Sequence, residues 1–151
     1  MKRVLFASIA LAFGANAMAN TCAAPLPIAG GTINGDTCTA PNSLPSYGGT
    51  VSPQREVVYS FVAQDANGSV AISGPIPDGA VFLMPSPCSS STDPIAFGFA
   101  GTPMAVTGLT NGQTYYVIVT TDPGGPNDAC GAYTLNVTPQ LPVELQSFTI
   151  D

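Results

Sequence analysis

The chain has 151 residues with three Lys or Arg, nine Asp or Glu and no His, and its net charge at pH 7 is −6. Phosphate recognition needs clustered cations. This composition therefore excludes nucleic acid as a partner and disfavours anionic membrane surfaces. The absence of His excludes Ser-His and Cys-His nucleophiles, and we expect no enzyme.

The first 19 residues have the pattern of a secretory signal peptide. Lys2 and Arg3 precede a short apolar run at residues 4–13, and residues 17–19 (Ala-Met-Ala) fit the small-x-small cleavage rule. The run is shorter than the about 20 residues that span a bilayer, so we predict no membrane span. After cleavage, Arg55 would be the one cation against nine carboxylates. The sequence predicts a protein that is secreted or on the cell surface, with the periplasm as an alternative.

Residues 20–138 show the pattern of one all-β domain. Alternating apolar residues recur in short runs, and Gly, Pro, Asn and Asp turns separate these runs at intervals of about 8–12 residues. The predicted strands lie at residues 55–62, 69–73, 80–84, 95–100, 104–109, 114–119 and 132–137. The run at 95–100 alternates Ile95, Phe97 and Phe99. The spacing predicts an antiparallel β-sandwich of short strands.

Two adjacent tyrosines mark the run at 114–119. Neighbouring side chains of a strand point to opposite faces, so Tyr115 would face one way and Tyr116 the other. Both rows of this run are apolar, which predicts a central strand packed on the core on one side and partly covered on the other. The preceding pair, Asn111 and Gly112, predicts a tight hairpin turn.

Four cysteines remain after the signal, Cys22, Cys38, Cys88 and Cys130, and an even count in an exported chain predicts two disulfides. Three pairings are possible. Chain order favours Cys22–Cys38 with Cys88–Cys130. A zinc site is disfavoured, since the chain has no Cys-x-x-Cys pair and no His.

Five segments carry a resemblance to a known family. They are INGDTC (33–38), REVVYSFVAQDANGSVAIS (55–73), DGAVFLMPSPC (78–88), LTNGQTYYVIVTTD (109–122) and CGAYTLNV (130–137). In this order they resemble the bacterial pre-peptidase C-terminal domain. The resemblance implies a jelly-roll-like β-sandwich of the kind attached to secreted peptidases and other exported proteins.

Two weak ligand sites are candidates. The loop with Asp122, Asn127 and Asp128 offers hard oxygen ligands that suit Ca²⁺. Some members of the family that the sequence resembles bind calcium. Asp and Asn are also ordinary loop residues, and we expect no other cofactor. For a sugar, the candidates are Tyr47, which lies outside the predicted strands, and the tyrosine pair at 115–116; the chain has no Trp.

The last residues, 139–151, form a separate extended tail after the domain. Its apolar residues alternate with polar ones and predict a docked segment. These assembly residues are Leu141, Val143, Leu145, Phe148 and Ile150. The tail would add either as an edge strand to its own sandwich or in trans to a neighbouring molecule.

Together these features predict a secreted, non-catalytic binding or accessory module. Its expected partner is an extracellular protein or a polysaccharide. The alternative is a structural subunit of an extracellular or cell-surface assembly, which self-associates through its C-terminal strand.

Overall fold

A computed structural model describes residues 20–126 and 128–139, and these residues form short β-strands and one 3₁₀ helix. The 3₁₀ helix covers Thr37–Thr39. The strands are β1 (Leu26–Pro27), β2 (Gly31–Asp36), β3 (Ser46–Tyr47), β4 (Thr50–Val51), β5 (Val57–Val62), β6 (Asn67–Ser73), β7 (Gly79–Pro85), β8 (Ala96–Phe99), β9 (Met104–Thr107), β10 (Thr114–Thr121) and β11 (Ala132–Pro139).

The strands build two packed sheets, which confirms the predicted β-sandwich. One sheet has the order β1-β5-β10-β7-β8 and the other the order β2-β11-β6-β9, while β3 and β4 form a small hairpin. All pairs are antiparallel except β1 with β5, which is parallel. The seven strands predicted from alternation are all present. Four others were not predicted: β1, β3 and β4 are too short to show a period of two, and β2 is mostly polar and glycine.

The main core lies between the sheets and is built from alternate residues of each strand. In β10, Tyr115, Val117 and Val119 point into this core. Ile118 is fully buried in a second cluster on the outer face of the five-stranded sheet, and Tyr116 packs against that cluster. β10 lies between β5 and β7, so the predicted central strand with two apolar faces is confirmed.

The second cluster is covered by two segments, one that precedes β5 in the chain and one at the N-terminal end of the described residues. Leu44 and Tyr47, from the stretch between the 3₁₀ helix and β5, pack on Val58, Met84 and Ile118. The N-terminal stretch runs beside β5, because the Val58 amide donates to the Asn20 carbonyl at 3.1 Å. This covering layer explains why the middle of the sheet is apolar on both faces, and it leaves the β8 edge of the sheet outside its cover.

Two disulfides are present, as predicted. Cys22 pairs with Cys88 and Cys38 with Cys130, at Cα–Cα distances of 5.4 and 4.8 Å, and no cysteine is free. The pairing expected from chain order, Cys22–Cys38 with Cys88–Cys130, is therefore wrong. The two bonds connect residues 66 and 92 positions apart, so both join distant parts of the chain.

The topology explains this pairing. β2 lies next to β11, so the 3₁₀ helix that follows β2 meets the loop that precedes β11, and Cys38 reaches Cys130. Cys22 and Cys88 both pack against the outer cluster of the five-stranded sheet. In a sandwich, neighbours in space are often distant in sequence, which a rule based on chain order does not capture.

The turn at Asn111 and Gly112 differs from the prediction. Gly112 has a φ of 80°, whereas Asn111 is not among the positive-φ residues, and the Gln113 amide donates to the Thr110 carbonyl at 3.1 Å. A two-residue hairpin turn of the common type needs positive φ at both central positions. A hairpin joins two neighbouring strands of one sheet, whereas this turn connects β9 in the four-stranded sheet with β10 in the five-stranded sheet. The turn is therefore not a hairpin.

Candidate functional site

A row of large apolar side chains is exposed along β8. Ile95, Phe97 and Phe99 keep 50%, 64% and 50% of their surface exposed. Phe97 stacks on Phe82 with ring centroids 6.3 Å apart, and Phe97 meets Phe99 edge to face at 6.1 Å. We call Phe82, Ile95, Phe97 and Phe99 the aromatic surface. Contiguous exposed apolar side chains of this kind mark binding sites on soluble proteins.

The alternation of β8 sends its large side chains outward. Ala96 and Gly98 are half-buried and alternate with the exposed Phe97 and Phe99. A Cβ added at Gly98 would lie 3.0 Å from Cβ of Met104 on β9, so even a methyl group on the inner side would require Met104 to shift. Because small residues must face the interior here, the phenylalanines face solvent.

The β3–β4 hairpin holds Tyr47 against this surface. Gly48 and Gly49, at the tip, have φ angles of 54° and 83°, which L-residues with side chains seldom adopt. The Tyr47 ring is 4% exposed and stacks on Phe82, with centroids 4.6 Å apart and planes 12° apart. Tyr47 is thus buried and lies in a short strand, so the prediction that places it outside the strands is wrong.

A buried carboxylate anchors the segment that carries Tyr47. Glu56 is fully buried, and its Oε1 accepts hydrogen bonds from the Ser43 amide, from Ser43 Oγ at 2.7 Å and from the Leu44 amide at 2.6 Å. Burial raises the pKa of Glu56 although these bonds act in the opposite direction. Burial, together with the nearby Glu56 carboxylate, also raises the pKa of Tyr47. These contacts tie Ser43 and Leu44 to Glu56, directly before β5, and residues 43–56 form a wall beside the sheet.

A groove runs between this wall and β8. Its volume is about 390 Å³. The residues that line it are Tyr47, Thr50, Phe82, Pro94, Phe97, Phe99, Asp122, Pro123 and Gly124. Most of the lining side chains are aromatic or proline, and the polar ones are those of Thr50 and Asp122, a composition typical of a binding groove.

Carboxylates flank the aromatic surface. Asp93 lies before β8 in the chain and is exposed, and Asp78 and Asp122 lie near the other end of β8, where Gly79 pairs close to Phe99. Arg55 is the one cation after residue 3, and it is held by the Cys38 carbonyl at 3.1 Å and Asp128 at 3.6 Å. The surroundings of the groove are therefore negatively charged.

The predicted calcium loop is only partly described. Asp122 accepts a hydrogen bond from the Gly124 amide at 3.0 Å, and Asp128 pairs with Arg55. Asn127 lies outside the described residues. Within residues 20–126 and 128–139, no group of three or more Cys, Asp or Glu side chains is placed to hold a metal ion. Calcium binding by this loop stays a prediction.

Other predicted segments also lie outside the described residues. They are the signal at residues 1–19 and the assembly residues of the tail, Leu141, Val143, Leu145, Phe148 and Ile150. The described part contains no helix of the length and hydrophobicity that crossing a membrane requires.

The alternation of β8 is visible in the sequence, but it does not by itself identify a site. From that pattern, Ile95, Phe97 and Phe99 belong to an ordinary strand. The available signal is the contrast between these large residues and Ala96, Gly98 and Ala100, which alternate with them. That contrast shows that the two faces differ, but not which of them is exposed.

The molecule is thus a disulfide-linked β-sandwich with a grooved aromatic surface on one sheet. No protein-family model and no curated protein matches the chain. Similar solved structures include the pre-peptidase C-terminal domain of collagenase from Bacillus anthracis, at 20% identity over 74% of this chain and 92% of that chain, with a TM-score of 0.47. The similar solved structures thus include a pre-peptidase C-terminal domain, the family that the sequence resembles.

Another similar structure is Aeromonas hydrophila PliG, a periplasmic inhibitor of g-type lysozyme. It is 12% identical over 75% of this chain and 93% of that chain, with a TM-score of 0.50. At this identity the likeness concerns the fold, and it carries no information on what this chain binds.

Proposed function

We propose that this protein is a non-catalytic binding module that acts outside the cytoplasm and recognises a partner protein through its aromatic surface. The observation that carries the proposal is the exposure of half or more of Ile95, Phe97 and Phe99 beside a groove. Aromatic side chains are enriched at the centres of protein interfaces and carry much of their binding energy.

The ring geometry favours a protein over a polysaccharide. The planes of Phe97 and Phe99 lie 85° apart, so the two rings do not offer one flat platform on which a row of sugars could stack. Phenylalanine also lacks a group that could hydrogen-bond sugar hydroxyls. A protein surface can fit two crossed rings with side chains of its own, each placed against one ring.

The disulfides support a location outside the cytoplasm. Both bonds are formed and no thiol is free, and such bonds persist in oxidising compartments. The signal pattern of residues 1–19 predicts the same location. The sequence has no His and, after residue 3, no Lys, so a Ser or Cys nucleophile has neither of its usual activating bases.

Site-specific photo-crosslinking in the organism that makes the protein tests this proposal. A photoreactive phenylalanine analogue replaces Phe97 in one variant and Val62 in a control. Val62 is 47% exposed at the end of β5, away from β8. We expect an adduct with one protein of defined mass from position 97, loss of that adduct on Phe99→Ala, and no such adduct from position 62.

Two other results would contradict the proposal. Equal adducts from both positions, or none from position 97, would show that the aromatic surface is not the binding site. An adduct with the mass of two chains would favour the structural-subunit alternative. Phe99→Ala itself should leave the unfolding free energy within about 1 kcal/mol of the native value, because the ring is half exposed.

A further inference from the structure

β8 is the last strand of the five-stranded sheet, and among the described residues it pairs with β7 alone. The Ala100 amide donates to the Gly79 carbonyl at 2.8 Å. In an antiparallel pair, hydrogen-bonded and non-bonded positions alternate. Phe97, opposite Phe82, and Phe99, opposite Ala80, therefore occupy non-bonded positions.

The backbone groups of both phenylalanines consequently point away from β7, toward the open edge of the sheet. The Phe99 carbonyl accepts a bond from the Thr102 amide at 3.3 Å. The amide and carbonyl of Phe97 and the amide of Phe99 remain as outward groups. The residues that present the exposed rings are thus the same residues that present the free backbone groups.

The edges at β1 and β2 are protected in ways that β8 is not. β1 contains Pro27 and is two residues long, and β2 is mostly polar with exposed threonine and asparagine. On β9 the exposed residues are Ala105 and Thr107. Proline, charge and polar side chains normally shield an edge from pairing. β8 has none of these and instead exposes two phenylalanines.

We propose that an extended segment of the partner protein adds as a new strand along β8, with apolar side chains at alternate positions beside Phe97 and Phe99 and with Lys or Arg at its ends. This inference rests on the proposed function and names the chemistry of the partner. Backbone bonds to the edge provide affinity, and the alternate side chains provide specificity.

The charge pattern selects a cationic segment. Exposed or half-exposed carboxylates lie near both ends of β8, namely Asp93 near one end and Asp78 with Asp122 near the other. The one Arg of the described chain is already engaged. The chain's own tail carries Glu144 and Asp151 and no cation, so its charge does not complement this edge.

A pair of substitutions separates strand addition from binding by the rings alone. Phe97→Ala removes the ring and keeps the outward amide, whereas Phe97→Pro removes both. Proline is tolerated on an edge strand where its missing amide would face solvent. The probe is a fluorescent nine-residue peptide of alternating valine and threonine with lysine at both ends, and its control has glutamate in place of lysine.

We expect saturable binding of the lysine peptide to the full exported chain and much weaker binding of the glutamate peptide. Phe97→Ala should weaken the binding, and Phe97→Pro should weaken it about tenfold further through one lost hydrogen bond. Formation of both disulfides and an unchanged circular-dichroism spectrum serve as the folding check. If the proline variant fails that check, N-methylation of the central valine of the peptide replaces it and should give the same loss.

Results other than these would overturn particular parts of the proposal. Strand addition would be contradicted if the alanine and proline variants bound with equal affinity, if the two peptides bound equally, or if the native chain bound neither peptide. The crosslink from position 97 would still test the aromatic surface itself. Self-association of the native chain that Phe97→Pro abolishes would make a second copy the occupant and refute the cationic partner. If the photoreactive analogue is placed at position 99 instead, an adduct with the partner that is unaffected by Phe97→Pro would leave the proposed function standing without this inference.

Discussion

Removal of the Cys38–Cys130 disulfide tests the topology of the sandwich directly. The variant Cys38→Ser/Cys130→Ser loses a link that closes a loop of 92 positions. The chain-entropy model gives a contribution of about 4–5 kcal/mol for a loop of this size. That loss is a large fraction of the stability of a small domain, which is typically about 5–15 kcal/mol.

Urea unfolding of the oxidised native chain and of this variant measures the difference. The midpoint should fall strongly because the native state keeps its sheets while the unfolded chain gains freedom. The matched variant, Cys22→Ser/Cys88→Ser, opens a loop of 66 positions and should lose a similar or slightly smaller amount.

A thiol assay on the first variant decides between the two pairings. With the pairing of the structure, Cys22 and Cys88 stay bonded and the variant has no free thiol. With the local pairing expected from chain order, the same two substitutions would break both bonds and leave two free thiols. Two titratable thiols in the folded variant would therefore refute the strand order of the sandwich.

Three further predictions concern single residues. Burial raises the pKa of Glu56, so the stability contributed by the Glu56 carboxyl is fully present below its unfolded pKa and is lost as pH rises through its folded pKa. In a plot of melting temperature against pH, Glu56→Gln should therefore remove this fall. An unchanged slope in the variant would contradict the raised pKa of Glu56. Gly48→Ala should destabilise the β3–β4 hairpin, since its φ is positive and the new Cβ would collide with the Asp93 carboxylate; unaltered amide exchange in the hairpin would speak against this. Tyr133→Phe should cost about 1–2 kcal/mol by leaving the buried Tyr59 hydroxyl without its 2.7 Å partner, and urea unfolding equal to the native chain would be inconsistent with that bond.

The strands with strong alternation could be predicted from the sequence. Tyr115 and Tyr116 indicated a strand covered on both faces, and the two clusters confirm it. A period of two in hydrophobicity indicates which residues of a strand share a face. A run that is apolar on both faces indicates that both faces of the strand are covered. These are local properties, so a single sequence contains them.

Properties that depend on contacts between distant segments could not be predicted in the same way. The disulfide pairing and the connection at Gly112 both follow from which strands are neighbours, and the sequence does not state this order. The exposure of Phe97 follows from the tight approach of Gly98 to Met104. Alternation alone could not show whether the phenylalanines or the small residues face the core.

Amide hydrogen exchange of the full chain, alone and in complex with the partner that the crosslink from position 97 identifies, tests the central claim most directly. The Phe97 and Phe99 amides face the open edge, while the Gly98 position is paired with Val81 on β7. We predict that exchange at Phe97 and Phe99 is fast in the free protein and slows strongly in the complex, with little change at Gly98. Slowing confined to other strands, with Phe97 and Phe99 unchanged, would contradict binding at β8.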